Sequence, residues 1–176
     1  QVIAMALKGI PAIYFNSLIG ARNNRDGVAE TGAPRTINRE KWNLDVLRDR
    51  LSDPASASRQ VFDRYRNALR VRRSQSAFDP DAAQQVLALG RKLFGVRRSL
   101  PETGSTIVAV SNVTATPAHI ALAAAIPELE GAASIMDLLS GESRKVVKGQ
   151  LGLAPYESLW IAPPVATDAG DPSSTT

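Results

Sequence analysis

Gly9-Ile10-Pro11-Ala12-Ile13-Tyr14-Phe15-Asn16-Ser17-Leu18-Ile19-Gly20 is the stretch on which the fold reading turns. Ile10 to Phe15 is a short continuous apolar run, rich in β-branched and aromatic residues. A strand buried on both faces has that composition, and such strands belong to parallel sheets. Pro11 suits the first position of a strand, where no ladder donor is needed. Immediately before it, residues 2–8 read as the last turns of a buried helix, with Gly9 as a C-cap. A helix leading straight into a buried strand indicates an α/β layer. The strand would need neighbours on both sides, and the rest of the sequence supplies none, so the reading places them upstream of Gln1.

The opening residues agree with that expectation. The chain starts on Gln1 rather than Met and has neither the charged start nor the small-residue cleavage site of a signal peptide. Its apolar run stops at Lys8-Gly9, far short of a membrane span. The expectation is a chain that begins inside a helix, with targeting unreadable, no membrane partner and a cytoplasmic location by default.

Downstream, residues 16–43 form a polar stretch containing Gly20, Gly27, Gly32, Pro34 and several Arg and Asn residues, and read as one long loop. Loops of that length in a compact domain are usually functional, and in a barrel the loop after a strand lies on the active-site face. Leu44 to Leu51 predicts a short amphipathic helix with Leu44, Leu47 and Leu51 on one face. After Asp53-Pro54, Ser56 or Ser58 caps a longer helix reaching about Arg73. Val61, Phe62, Tyr65, Leu69 and Arg72 form its core-facing stripe, and the intervening arginines a solvated outer face.

Residues 74–83 are turn chemistry and mark a domain boundary. Beyond them the period changes to that of short strands, at residues 85–89, 93–98, 106–113, 118–122, 134–139, 145–147 and 156–161. Strands at such close spacing argue an antiparallel sandwich or small barrel. The fold class expected is therefore α/β plus all-β. Residues 1–80 read as the last strand and helices of a (β/α)8 barrel, 81–163 as a small antiparallel β-sandwich, and 164–176 as a disordered tail rich in Pro, Ser, Thr and Gly.

Composition narrows the chemistry. The 176 residues are 44% hydrophobic and 22% charged, with a net charge of +4 and no cysteine. The missing cysteines exclude disulfides and thiolate metal sites. The arginines are interspersed with acids and aromatics make up only 5%, which argues against a nucleic-acid partner. His119, the single histidine, makes a poor metal site on its own and reads as a polar residue on a strand face. No metal or cofactor is expected.

At this point the residues resemble a known family. Gly9 to Gly20 is similar to the eighth barrel strand and following loop of α-amylase superfamily enzymes. Arg22-Asn23-Asn24, Thr31-Gly32-Ala33-Pro34-Arg35-Thr36-Ile37-Asn38-Arg39, Arg72 to Pro80 and Pro155 to Trp160 resemble the branch of glycoside hydrolase family 13 that holds sucrose phosphorylase. The resemblance covers residues 1–162. Asn24 stands where an Asp is expected and Asp79 where relatives often carry His, and both departures bear on fine specificity.

The resemblance implies a retaining mechanism with two carboxyl groups, in which phosphate resolves a glucosyl-enzyme ester to α-glucose 1-phosphate. The partners are then an α-glucoside and inorganic phosphate. The family's three acids follow earlier barrel strands, so no catalytic residue is expected in this chain. Arg35 matches the family arginine that reaches the glucose pocket, where a guanidinium offers rigid planar donors to hydroxyls and carboxylates. Asn23 is a second, weaker substrate-binding candidate at the pocket edge. Asn38 is expected to form a turn, and Arg39 to pin the loop through carbonyls or carboxylates. Asp26 and Glu30, four apart, read as a solvated pair. Trp160 reads as core and Trp42 as an anchor of the loop. A hydrolase or transglucosidase such as amylosucrase, and a stand-alone β-sandwich binding module, remain open as alternatives.

Overall fold

The computed structural model describes residues 1–163, which divide into two compact units: residues 1–10 with 71–163, and residues 11–70. The stretch 164–176, read from sequence as a tail, lies outside the described residues. The division falls at residues 10 and 70, where the sequence reading had one boundary at 80.

In the first unit, β1 (Ala83–Val86), β2 (Leu93–Leu100), β3 (Ser105–Asn112) and β8 (Ser158–Ile161) form a four-stranded sheet in that order. Two smaller pairs accompany it: β4 (Ala118–Ala121) with β7 (Gln150–Leu153), and β5 (Ser134–Asp137) with β6 (Glu142–Lys145). Every pairing is antiparallel. The central strand β3 is buried on both faces, at Ile107, Val108, Ala109 and Val110. Val108 and Val110, with Leu159 and Ile161 of β8, join Ile120, Leu151, Leu153 and Ile135 in one apolar core. This is the two-layer packing that alternating strands require.

The opposite face of the sheet is covered from elsewhere. Val96, Ala109 and Trp160 stand in cross-strand register, and the Trp160 ring meets Phe78 with centroids 4.7 Å apart. Helix α1 (Val2–Ala6) packs on β3, and the 3-10 turn Ser76–Phe78 packs on β2 and β3. Met5, Ala6, Ala77 and Phe78 are all buried there.

Two buried arginines hold this cover in place. Arg98 lies on the inward face of β2 and is wholly buried. Its Nη2 donates to the carbonyls of Asp79 (2.7 Å) and Ala82 (3.3 Å), its Nε to Ala83 (3.3 Å) and its Nη1 to Ala6 (3.4 Å). Arg72 donates to the carbonyls of Met5, Gly9 (2.7 Å from Nη2) and Phe78 (3.1 Å from Nη2), and lies over the Phe78 ring. Burial lowers both guanidinium pKa values; Arg98 lowers that of Arg72 further, while Asp79 pushes Arg98 back up. An arginine starts high enough to keep its charge regardless.

Polar ties close the β unit. The buried Asp137 carboxylate accepts from the N–H groups of Leu139, Ser140 and Trp160 (3.1 Å each) and from the Ser140 hydroxyl (2.7 Å), so it links β5 to β8. Glu128 receives both Nη groups of Arg97 at 2.6 and 2.8 Å. Glu157 receives Arg144 and the Ala154 N–H (2.7 Å). The arginine hydrogen bond is the main reason each glutamate lies below its ordinary pKa of 4.5.

Residues 11–70 are helical. Helices α2 (Phe15–Leu18), α3 (Arg25–Thr31), α4 (Leu44–Ser52) and α5 (Ala57–Ser74) are joined by a 3-10 turn at Pro34–Asn38; the end of α5, from Val71, falls in the first unit. Asn43 caps α4 by accepting from the N–H groups of Asp45 and Val46 at 2.9 and 3.2 Å. Ser56, not Ser58, caps α5, with its Oγ accepting from the Arg59 N–H at 3.1 Å. Gly20 has φ of +62°, and a Cβ there would lie 2.9 Å from Val61 Cγ2.

Several expectations change. Residues 10–14 belong to no strand, and Phe15 begins α2. Among the described residues no strand lies beside this segment, so it has no ladder to join; Ile10 is 84% and Phe15 51% exposed. Helix α1 ends on Leu7 in an extended conformation rather than on Gly9. The stretch 16–43 is not one irregular loop but two short helices and a 3-10 turn. Leu44 is exposed, leaving Leu47 to anchor α4. After Ala121 the alanine run forms a one-turn helix, α6 (Leu122–Ala125), instead of extending β4. Strand β7 was not foreseen, because Gly149 and Gly152 interrupt its apolar pattern, and β6 occupies Glu142–Lys145, where the sequence reading had a turn at Glu142 and began its strand only at Lys145.

Replacing Arg98 by Ala strands several buried carbonyls at once, so chemical denaturation is expected to show a loss of more than about 3 kcal/mol. Arg91→Ala, at an exposed position, serves as the control and should stay within about 0.5 kcal/mol. The lowered glutamates set a pH dependence. Their stabilisation is fully present above the ordinary value of 4.5 and is lost as pH falls through the lower folded-state values. The variant Glu128→Gln/Glu157→Gln should therefore be less stable than the native chain at neutral pH. It should also lose less on acidification from about pH 5 to pH 3; parallel acid profiles would count against these pairs.

Candidate functional site

The segment that the sequence singled out, residues 16–40, is braced by backbone carbonyls. Asn16 is buried, and its Nδ2 donates to the carbonyls of Asn38 (3.1 Å) and Glu40 (3.2 Å). The Tyr14 hydroxyl donates to the same Asn38 carbonyl at 2.9 Å. Across the segment, the Asn24 N–H donates to the Ile37 carbonyl at 2.7 Å. Thr31 and Thr36 hydroxyls lie 3.1 Å apart. Asn24 also caps α3, its Oδ1 accepting from the Gly27 N–H at 2.9 Å, and a Cβ on residue 27 would fall 2.5 Å from Asn24 Nδ2. An Asn supplies that acceptor as well as the Asp expected there.

Arg35 sits on the 3-10 turn that these bonds hold. It is exposed, and among the described residues its guanidinium has no hydrogen-bonding or ionic partner. A guanidinium without such a partner is equipped to engage an oxygen-rich ligand by paired N–H donors. Asn23 lies on the wall of a cavity of about 710 Å³ that Arg35 does not line. The two sequence candidates are thus not brought to one cavity. Asn38 ends the 3-10 turn and supplies the carbonyl on which Tyr14 and Asn16 converge. The Arg39 side chain is exposed and holds no carbonyl or carboxylate among the described residues; only its N–H contributes, donating to Thr36 at 3.0 Å. The expected pinning of the loop is done by Asn16 instead. A hint lay in the sequence, since an Asn directly after an apolar run is well placed to become buried and to seek carbonyls.

The remaining candidates fall apart from any cluster. Asp26 and Glu30 are exposed on α3 and form no ion pair among the described residues. His119 is exposed on β4. Trp42 carries the Arg50 guanidinium 4.7 Å above its ring, while its Nε1 is buried without an acceptor. Trp160 is core. Among the described residues, no three His, Asp or Glu side chains gather as they would around a metal ion. Nor is any described helix long and apolar enough to cross a membrane.

The fold is that of α-amylase-type enzymes. A crystal structure of AmyP in complex with maltose superposes with a TM-score of 0.68 at 14% identity, covering 96% of this chain and 34% of that one. The trehalulose synthase MutB from Pseudomonas mesoacidophila does so with a TM-score of 0.63 at 16% identity, covering 92% and 37%. In sequence the chain resembles the sucrose-phosphorylase-like branch of that superfamily, and the match is to its carboxy-terminal region. It is 32% identical to a glucosylglycerate phosphorylase of Spirochaeta thermophila over 93% of this chain and 29% of the relative. It is 28% identical to a glucosylglycerate phosphorylase of Escherichia coli over 92% and 27%. The chain therefore spans between a quarter and a third of the length of the curated relatives it matches. No family model matches it.

Asn16→Ala removes the shared donor to Asn38 and Glu40. Amide hydrogen exchange should report faster exchange at Asn24 and Arg39, whose N–H groups are bonded within the braced segment, and a global destabilisation of about 1–2 kcal/mol. Unchanged protection at both amides would show that Tyr14 alone suffices.

Proposed function

We propose that this chain forms part of a retaining α-glucosyl-transferring enzyme of the phosphorylase type, acting on glucosylglycerate or sucrose with inorganic phosphate. The observation that carries the reading is the 28–32% identity to glucosylglycerate phosphorylases across more than nine-tenths of this chain. In such a reaction a carboxylate attacks the anomeric carbon while a carboxylic acid protonates the departing oxygen. Phosphate then displaces the carboxylate from the glucosyl ester to give α-glucose 1-phosphate. The reading assigns those carboxylates to the region of the enzyme that precedes this chain's match, so residues 1–163 bind and orient rather than react.

In this reading Ile10, Ile13, Tyr14 and Phe15 are the eighth strand of the (β/α)8 barrel. Their exposure supports it: an apolar segment with no ladder partner suits a strand whose neighbours are supplied by the rest of a barrel. Arg35 then stands on the loop following that strand, on the face where barrel active sites assemble, and donates to substrate hydroxyls. Asn23 is the weaker second contact. The first unit, with its continuous β core, serves as the carboxy-terminal β-domain.

The test is an assay of the complete enzyme with glucosylglycerate or sucrose in the presence of phosphate. Release of α-glucose 1-phosphate is expected. Release of glucose alone would indicate a hydrolase, and transfer to a second sugar a transglucosidase. Arg35→Ala should lower kcat/KM by about 100-fold or more with the melting temperature nearly unchanged, because the Arg35 side chain makes no bond to lose among the described residues. Unchanged kinetics would remove Arg35 from the substrate site.

A further inference from the structure

Strand β1 leaves an open backbone edge. It pairs with β2 alone. The Leu87 N–H bonds inward to the Gly95 carbonyl at 2.9 Å, so by antiparallel alternation the N–H and C=O groups of Gln84 and Val86 point away from β2. None of these groups has a hydrogen-bond partner among the described residues. The other edge of the same sheet is closed. On β8 the Trp160 N–H donates to Asp137 at 3.1 Å, and its carbonyl accepts from the Leu138 N–H at 2.8 Å.

Unpaired edges are usually blunted by charged side chains, by proline or by a covering segment. Strand β6 carries Glu142, Arg144 and Lys145. Strand β1 reads Ala83-Gln84-Gln85-Val86, without charge or proline, and all of its residues are exposed. Val86 ends the cross-strand row that runs through Val96, Ala109 and Trp160; it is 64% exposed while the others are buried. The flanks of the strand are charged and of opposite sign. Asp79 and Asp81 precede it, and Arg91 and Lys92 follow it in the turn to β2. All are exposed, and none is in an ion pair among the described residues.

We propose that the β1 edge is an interaction surface for a second copy of this chain. The two strands pair antiparallel across a two-fold axis, through backbone hydrogen bonds between the outward groups of Gln84 and Val86, and two four-stranded sheets become one. In that register Gln84 of each copy faces Val86 of the other, and Gln85 lies on the axis. The acidic flank of each copy then meets the basic flank of the other, which is the charge complementarity that selects a second copy. At the axis Gln85 meets itself, and its amide is both donor and acceptor; a lysine or glutamate there would repel its own copy. A strand this short buries little area, so the contact is weak and reversible. The proposal stands on the first unit alone and does not rest on the phosphorylase reading.

The experiment is analytical ultracentrifugation of the 176-residue chain. A monomer–dimer equilibrium with a dissociation constant of about 10–100 µM is expected. Gln84→Pro removes an outward donor from each copy while leaving the inward ladder to β2 in place, and should weaken association about tenfold or more. Asp81→Lys sets like charges together and should weaken it severalfold, as should Arg91→Glu/Lys92→Glu. Mixed in equal amounts, these last two variants put opposite charges together at both ends of the pairing, and a heterodimer about as tight as the native pair is expected. Neither damage to the fold nor association through the exposed residues 12–15 would give that rescue. A chain that stays monomeric up to about 1 mM leaves the edge to some other segment of polypeptide and overturns the proposal. So does association that Gln84→Pro leaves unchanged, or a mixture in which the two charge variants fail to pair.

Discussion

Arg98 is buried to its last atom and faces backbone carbonyls rather than a carboxylate, and the first unit is organised around that choice. Helix α1 is five residues long, too short to satisfy its own carbonyls or to persist by propensity. Arg98 takes the carbonyl of Ala6, and Arg72 takes those of Met5 and Gly9. The same two guanidiniums collect carbonyls from Phe78 to Ala83. Two distant stretches of chain are thereby fixed to the sheet through groups that every residue carries. Five donors on a rigid plane permit this, and a lysine's single ammonium head would not.

Behind that cover the β unit is closed by a few saturated polar groups. Asp137 accepts four hydrogen bonds and ties the β5–β6 pair to β8, the edge of the main sheet. Asn112, also buried, donates to the carbonyls of Thr116 and Ala154 and accepts from Thr114, which fixes the approach to β4. Each is costly to bury alone and stabilising once every lone pair and proton is used. Small sheets of two strands are marginal by themselves. These ties, with the shared apolar core, are what make β4–β7 and β5–β6 part of one body.

The helical unit follows a different logic. Its apolar residues at 12–15 are exposed while its polar segment at 16–40 is well braced. Asn16 and Asn24 hold the 3-10 turn carrying Arg35, so a guanidinium with no partner among the described residues nonetheless springs from a braced backbone. The backbone is fixed there, but the Arg35 side chain still has its own rotamers to order when it meets a ligand. The order is inverted from that of an ordinary globular core.

Alternation of apolar residues and the turn chemistry between them were enough to read six of the strands and the antiparallel arrangement. Ser56 was one of the two caps read for the start of α5, while the Asn43 cap of α4 emerged only from the structure. Arg35 and Asn23 were read as polar residues of one long loop, singled out by the family resemblance; that the loop contains helical turns was not read. What local pattern could not decide was direction. Arg97 and Arg98 are adjacent and chemically identical, yet the pleat turns Arg97 outward to Glu128, 31 residues away, and Arg98 inward to the carbonyls of Ala6, Asp79, Ala82 and Ala83. Ile10 to Phe15 has the composition of a buried strand, but a strand exists only where another backbone offers its donors and acceptors. Periodicity and caps are local properties carried by the residues themselves. Which face is buried, and which carbonyl a guanidinium meets, is settled only when distant segments are packed together.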